Sequence, residues 1–216
     1  MNDSSPQISR DDRGVLRVTL NRPDVLNAFD EALIERITQT FEALRDDSSV
    51  RVVVLESTGR TFCAGADVGW MRRAAANDQA ANLEDARRFA SMMAAIDQCP
   101  QPVIARIQGA AYGGGVGLAC AADIAIASER ARFSVSEAKF GILPAVIGPY
   151  LINAVGLRQA RRLALTCTLI KAEEALAIGL AQQVTSEHDL DRAVQADQQI
   201  RQVLNVVLDL ANVAAC

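Results

Sequence analysis

The sequence is poor in the groups that most often carry nucleophilic or metal chemistry. It has one histidine, His188, in 216 residues. That residue sits in the polar stretch Ser186-Glu187-His188-Asp189, which reads as a solvated loop. A Ser/His/Asp or Cys/His triad needs a histidine oriented by a third group, so this placement argues against one. No G-x-S-x-G elbow occurs either. The five cysteines (Cys63, Cys99, Cys120, Cys167 and Cys216) are odd in number and widely spaced, with no C-x-x-C. That pattern excludes a disulfide framework and a zinc site, so no metal is expected. Four of them lie in apolar surroundings and read as small buried hydrophobes, while Cys216 ends the chain as a candidate free thiol.

Lysine is nearly absent too, with Lys139 and Lys171 alone against a background of arginine. The net charge of −4 and a pI of about 5.1 remove the basic footprint of a nucleic-acid binder. No apolar run reaches the ~18 residues of a membrane-spanning helix. Met1–Arg17 carries Asp3, Asp11 and Asp12 and lacks the apolar core of a secretory signal. A soluble, cytoplasmic protein without membrane or nucleic-acid partners is expected.

What the chain does have is a large apolar fraction: 50% hydrophobic against 22% charged. Disorder needs the opposite balance, and the length suits one domain. Val15–Leu20, Val50–Leu55 and Val103–Ile107 read as strands, the last two as continuous runs buried on both faces. Asn27 is read as the cap of a helix carrying Asp30 and Glu31 in its first turn, with Phe29, Leu33, Ile34, Ile37, Phe41 and Leu44 at helical spacing. Asn82–Gln98 reads as a second helix with Leu83, Ala86, Ala90, Met93 and Ala94 on its apolar face. Asp123–Ala127 and Arg132–Val135 are further short strands, and Val116–Ala121 looks helical. Helices are expected at Pro149–Val155, Arg158–Leu165 and Ala172–Ile178, with a last apolar stretch at Ile200–Val213. The alternation argues an α/β fold with helices gathered towards the C-terminus.

Two glycine-rich loops follow buried strands: Thr61-Phe62-Cys63-Ala64-Gly65-Ala66-Asp67 and Tyr112-Gly113-Gly114-Gly115-Val116-Gly117. Glycine lets backbone N–H groups approach a ligand, and a helix starting at Gly114 or Gly115 would aim its free N–H groups at an anion or developing oxyanion. Tight strand-to-helix packing explains such glycines equally well. Neither loop matches a dinucleotide or triphosphate signature. Glu137 follows a strand among Phe133, Val135, Phe140 and Ile142. Such surroundings disfavour its charged form and suit general acid/base work, unless an ion pair with Lys139 or an arginine holds it.

Taken in order, these segments resemble the enoyl-CoA hydratase/isomerase (crotonase) superfamily. The likeness rests on Asn21-Arg22-Pro23…Leu26-Asn27-Ala28, Phe62-Cys63-Ala64-Gly65-Ala66-Asp67, Pro102-Val103-Ile104-Ala105, Gly113-Gly114-Gly115, Ala122-Asp123-Ile124 and Phe133…Glu137…Gly141-Ile142-Leu143-Pro144. It runs to Gly179-Leu180. The resemblance implies a spiral of ββα units with C-terminal helices. It also implies a bound acyl-CoA thioester, no cofactor beyond the coenzyme A of the substrate, and trimers or paired trimers of the chain. It places the oxyanion-binding N–H groups on Ala66 and Gly114, the acid/base on Glu137, and coenzyme A contacts on Leu26, Ala28, Ala64, Ala66, Asp67, Val68, Gly114 and Gly117.

Hydratases of this family use two glutamates, and the first aligns with Gly117, which cannot move a proton. Three readings follow from the resemblance: hydration of a 2-enoyl-CoA with one carboxylate, double-bond isomerisation with Glu137 as sole base, or a catalytically silent acyl-CoA binder. Asp67-Val68-Gly69-Trp70-Met71 and Ser134–Tyr150 resemble bacterial methylglutaconyl-CoA hydratase-like proteins of branched-acyl breakdown. A dicarboxylic acyl group would want a cation, for which Lys139 and Arg106 are candidates. Residues 1–184 are expected to form the core, and 185–216 a shortened helical tail of the same domain with a helix at Val203–Val213. A missing helical lid would leave the acyl pocket wetter.

Overall fold

A computed structural model describes residues 5–197. The expected helix at Val203–Val213 lies outside the described residues. In chain order the elements are β1 (Gln7–Arg10), β2 (Val15–Leu20), α1 (Glu31–Ala43), β3 (Val52–Ser57), β4 (Thr61–Cys63), α2 (Val68–Ala74) and α3 (Gln79–Asp97). They continue as β5 (Val103–Ile107), β6 (Ala110–Tyr112), α4 (Gly114–Ala121), β7 (Ile124–Ser128), β8 (Arg132–Ser134) and α5 (Gly148–Thr166). Last come β9 (Ile170–Lys171), α6 (Ala172–Ala177), β10 (Gln183–Thr185) and α7 (Leu190–Asp197).

The strands form two sheets, one ordered β1-β2-β3-β5-β7-β10 and the other β4-β6-β8-β9, and from β3 to β8 successive strands alternate between them. From β3 to α5, each turn of chain lays one strand in the large sheet, one in the small sheet and then helix, which is a ββα spiral. Neighbours from β2 to β10 in the large sheet are parallel, so the β-ends of successive turns stack in register. Both faces of the large sheet are covered. Val18, Val53 and Val103 face the main core, while Val52, Val54, Ile104 and Ile126 pack beneath Leu190, Ala193 and Val194 of α7. That double burial is why β3 and β5 read as largely apolar runs and not as alternating strands. β10 crosses residue 184, and α7 joins the same layer.

Two local expectations are corrected. Asn27 does not cap α1; Asp30 does, accepting from Leu33 N–H. Asn27 is instead fully buried in left-handed backbone (φ 56°). Its side chain accepts from Arg22 N–H at 2.8 Å and donates to the carbonyls of Thr58 and Thr61, each at 2.8 Å. Asparagine tolerates left-handed backbone, so this one residue both makes the turn and satisfies three main-chain groups. Asn27→Ala should therefore lower unfolding stability by about 3 kcal/mol, because buried groups lose their partners; urea denaturation measures it. In α3 the buried side chains are Met92, Met93, Ala95 and Ile96, and Leu83 is exposed. The first half of that helix lies at a cavity rim, not against the core. The helices expected at Pro149–Val155 and Arg158–Leu165 are both present as the two halves of α5, separated at Gly156, whose backbone (φ 74°, ψ 158°) is not helical.

Candidate active site

Both glycine-rich loops open into one cavity of about 1060 Å³. Leu26, Ala28, Ala64, Ala66, Asp67, Val68, Gly114 and Glu137 all line it. Phe29, Trp70, Phe89, Tyr112 and the segment Leu143–Ile147 complete much of the wall. Sequence reading assigned Phe29 to the core stripe and left Trp70 and Phe89 without a role in the site; their helical spacing carried no sign that they also face a ligand cavity.

The Ala66 N–H is presented by a single parallel bridge between Phe29 and Ala66. Phe29 N–H donates to Gly65 O and Asp67 N–H to Phe29 O, both at 2.8 Å. In that alternation the amides on either side of Ala66 face Phe29 or the preceding strand, and the Ala66 N–H points the other way. Asp67 then caps α2, accepting from Gly69 and Trp70 N–H. The second donor, Gly114, is the first residue of α4, so its N–H has no partner within the helix. A side chain cannot sit there. A Cβ on Gly114 would lie 2.5 Å from Phe29 Cε2 and 3.0 Å from Phe89 Cζ, whose tilted rings pack with centroids 5.4 Å apart. Gly65, at φ +88°, would set a Cβ 3.3 Å from Gly114 N, so the two loops meet backbone to backbone.

Glu137 begins a short 3-10 turn after β8. Gly113, at φ +51°, leaves room for it: a Cβ there would be 3.2 Å from Glu137 Oε1. The carboxylate thus rests against the peptide that carries the Gly114 N–H. It is half-buried, and its Oε2 has no hydrogen-bond partner. Burial pushes its pKa above the ordinary 4.5, and the backbone N–H groups of residues 136 and 137 offset this only in part. The alternative ion pair of Glu137 with Lys139 or an arginine is not formed among the described residues; Lys139 lines the cavity from an exposed position. Of the apolar neighbours expected around Glu137, Phe133 and Val135 are buried, whereas Phe140 and Ile142 are exposed at the cavity mouth.

Two expected residues fall elsewhere. Gly117 is fully buried in α4 but does not line the cavity. A Cβ there would overlap Ile147 Cγ2 and reach within 3.2 Å of Met93 Cε, so Ile147, which does line the cavity, screens it. Arg106 pairs with Asp191 of α7 at 2.6 Å on the opposite face of the large sheet. It cannot serve the cavity. His188 is exposed in its loop. Desolvation pushes the thiols of buried Cys63 and half-buried Cys120 up to about 12, which makes both inert as nucleophiles. Among the described residues no cluster of His, Cys, Asp or Glu could hold a metal ion, and no helix is long and apolar enough to cross a membrane.

Comparison with known proteins agrees with this geometry. The family model for enoyl-CoA hydratase/isomerase matches residues 10–211. The chain is 33% identical over 181 residues to enoyl-CoA hydratase AKT6-1 of Alternaria alternata, a match covering 84% of this chain and 59% of that protein. It is 31% identical over 183 residues to the trans-2-decenoyl-[acyl-carrier-protein] isomerase of Streptococcus mutans, covering 84% and 70%. Among solved structures, an enoyl-CoA hydratase from Shewanella pealeana superposes with a TM-score of 0.86 at 38% identity, covering 96% of this chain and 80% of that one. The cavity between two glycine-rich loops, the lone carboxylate above Gly113 and these matches lead to one conclusion: the chain belongs to the enoyl-CoA hydratase/isomerase family of the crotonase superfamily.

Proposed function

We propose that the protein hydrates a 2-enoyl-CoA, with Glu137 as its only acid/base and the Ala66 and Gly114 N–H groups holding the thioester oxygen. The observation that carries this reading is the Glu137 carboxylate, its Oε2 without a hydrogen-bond partner, resting beside the Gly113–Gly114 peptide in the same cavity. Water bonds to the β-carbon while Glu137 takes one of its protons, and the displaced electron pair moves onto the thioester oxygen. The enolate then collapses, its α-carbon taking the proton back from Glu137. Nothing on the protein is consumed. Fixed N–H donors at the developing oxyanion are worth roughly 3–4 kcal/mol each in acyl chemistry.

A second reading is supported by Ile147. Its side chain fills the space over Gly117, so no carboxylate reaches the cavity from position 117 to activate water. Moving a double bond from the 3- to the 2-position needs one base that removes a proton from the α-carbon and returns it two carbons further on. Product mass spectrometry after incubation with crotonyl-CoA, 3-methylglutaconyl-CoA and a 3-enoyl-CoA separates the two. Gain of one water from a 2-enoyl ester supports hydration; rearrangement at unchanged mass, seen by retention time, supports isomerisation. No change in any ester would favour the silent binder. Assembly as trimers or paired trimers belongs to the same proposal.

In either enzymatic reading Glu137 must start ionised. Since its pKa is raised, kcat/KM should climb with pH through a value above 4.5 and then level off. A pH–rate profile with an acid limb at or below the ordinary carboxylate range would contradict the role.

A further inference from the structure

We infer that Arg22 is a positioning residue that holds the Ala66 N–H in place. This rests on the oxyanion role proposed for Ala66.

The Phe29–Ala66 bridge consists of two main-chain hydrogen bonds and nothing more. A bridge that short has no ladder to hold it in register; a further main-chain bond between the same segments, from Ala64 N–H to Leu26 O at 3.0 Å, holds its near side, and the side beyond Asp67 depends on side chains. Arg22 braces it from both sides. Its Nη1 donates to Ala28 O at 2.6 Å, and its Nη2 lies 2.9 Å from Asp30 Oδ2. These contacts grip the residues before and after Phe29. The same Nη2 reaches Asp67 Oδ2 at 3.4 Å, gripping the residue after Ala66. All three charged side chains are mostly buried, with Arg22 12%, Asp30 21% and Asp67 16% exposed. Charge pairs so shielded are screened far less than surface pairs.

Both carboxylates also cap helices, Asp30 for α1 and Asp67 for α2. One guanidinium thereby locks two helix starts and the peptide between them. Its planar fork is what allows three acceptors on different segments; lysine offers a point charge without that shape. A nearby pair provides an internal control. Arg73 and Glu31 also link α2 to α1, but they are exposed at 59% and 37% and touch neither end of the bridge.

The test uses four variants of the full chain: Arg22→Lys, Asp67→Asn, Arg73→Gln and Glu137→Gln. Asparagine keeps the helix cap of position 67 while losing the charge, so that variant folds even if Arg22→Lys does not. Two quantities are read. Amide hydrogen exchange at Phe29 and Asp67 reports the bridge. Turnover of an enoyl-CoA ester, beside its calorimetric Kd, reports positioning. Asp67→Asn and any folded Arg22→Lys should lose amide protection and about 10- to 100-fold in kcat, with Kd nearly unchanged, because the lost contact matters in the transition state. Arg73→Gln should keep both. Full protection and wild-type kcat in Asp67→Asn and folded Arg22→Lys, with Glu137→Gln inactive, would overturn the role of Arg22 and leave the site intact. Equal losses in Arg73→Gln would reduce Arg22 to general stability. Unchanged turnover in Glu137→Gln would overturn the site reading, and the positioning role with it.

Discussion

Glu137→Gln should lower turnover of the enoyl-CoA ester about 1000-fold while leaving acyl-CoA binding intact. Glutamine keeps the shape but moves no proton, and among the described residues lining the cavity no other carboxylate rests against the Gly113–Gly114 peptide. The effect on stability runs the other way. A carboxyl whose folded pKa is raised stabilises the fold fully only at low pH, and that contribution is lost as pH rises through the raised value. At neutral pH the wild-type chain therefore carries an ionised group with an unpartnered buried oxygen. Removing the charge should leave Tm unchanged or slightly higher. A variant that is inactive and no less stable identifies a functional residue, since structural residues rarely behave so. Thermal melts beside steady-state kinetics test both halves.

Gly117→Glu should do the reverse of what the sequence alone suggests. Alignment with the family's first glutamate makes it look like the restoration of a lost catalytic group. The structure places Ile147 and Met93 where even a Cβ would go. Both are fully buried, and Ile147 stands between position 117 and the cavity. Overpacking there, together with burial of a carboxylate, should cost about 4 kcal/mol, seen as a large fall in Tm or in soluble yield. Adding Ile147→Ala removes the steric part, and the double variant should regain much of the stability lost. A Gly117→Glu chain that is stable on its own and hydrates faster than wild type would show that Ile147 does not block the position.

The contrast between Gly117 and Gly114 shows what sequence can carry. The strands β2 and β5 were legible to the residue, β2 from its weak apolar–polar alternation and β5 from a largely apolar run suited to burial on both faces. Ala66, Gly114 and Glu137, proposed as the donors and the acid/base, were singled out through family motifs, and the fold brings all three to one cavity. Strands of two or three residues, such as β4 and β9, fall below the length at which periodicity speaks. Asn27 misled because asparagine suits both a helix cap and a left-handed turn, and only the surrounding carbonyls decide between them. Gly117 misled for a related reason: its partner, Ile147, lies on the far side of β7 and β8 in the chain. Arg22 was invisible as anything more than part of a motif until Asp30 and Asp67 converged on it in space.

The most direct test of the central claim is to run the reaction in deuterium oxide and locate the label in the product by NMR and mass spectrometry. With wild-type protein and a 2-enoyl-CoA, one non-exchangeable deuterium should appear at the α-carbon, delivered by Glu137. With Glu137→Gln the labelling rate should fall in step with turnover. Labelling at the wild-type rate in Glu137→Gln would mean that some other group moves the proton, and the assignment of Glu137 would be wrong.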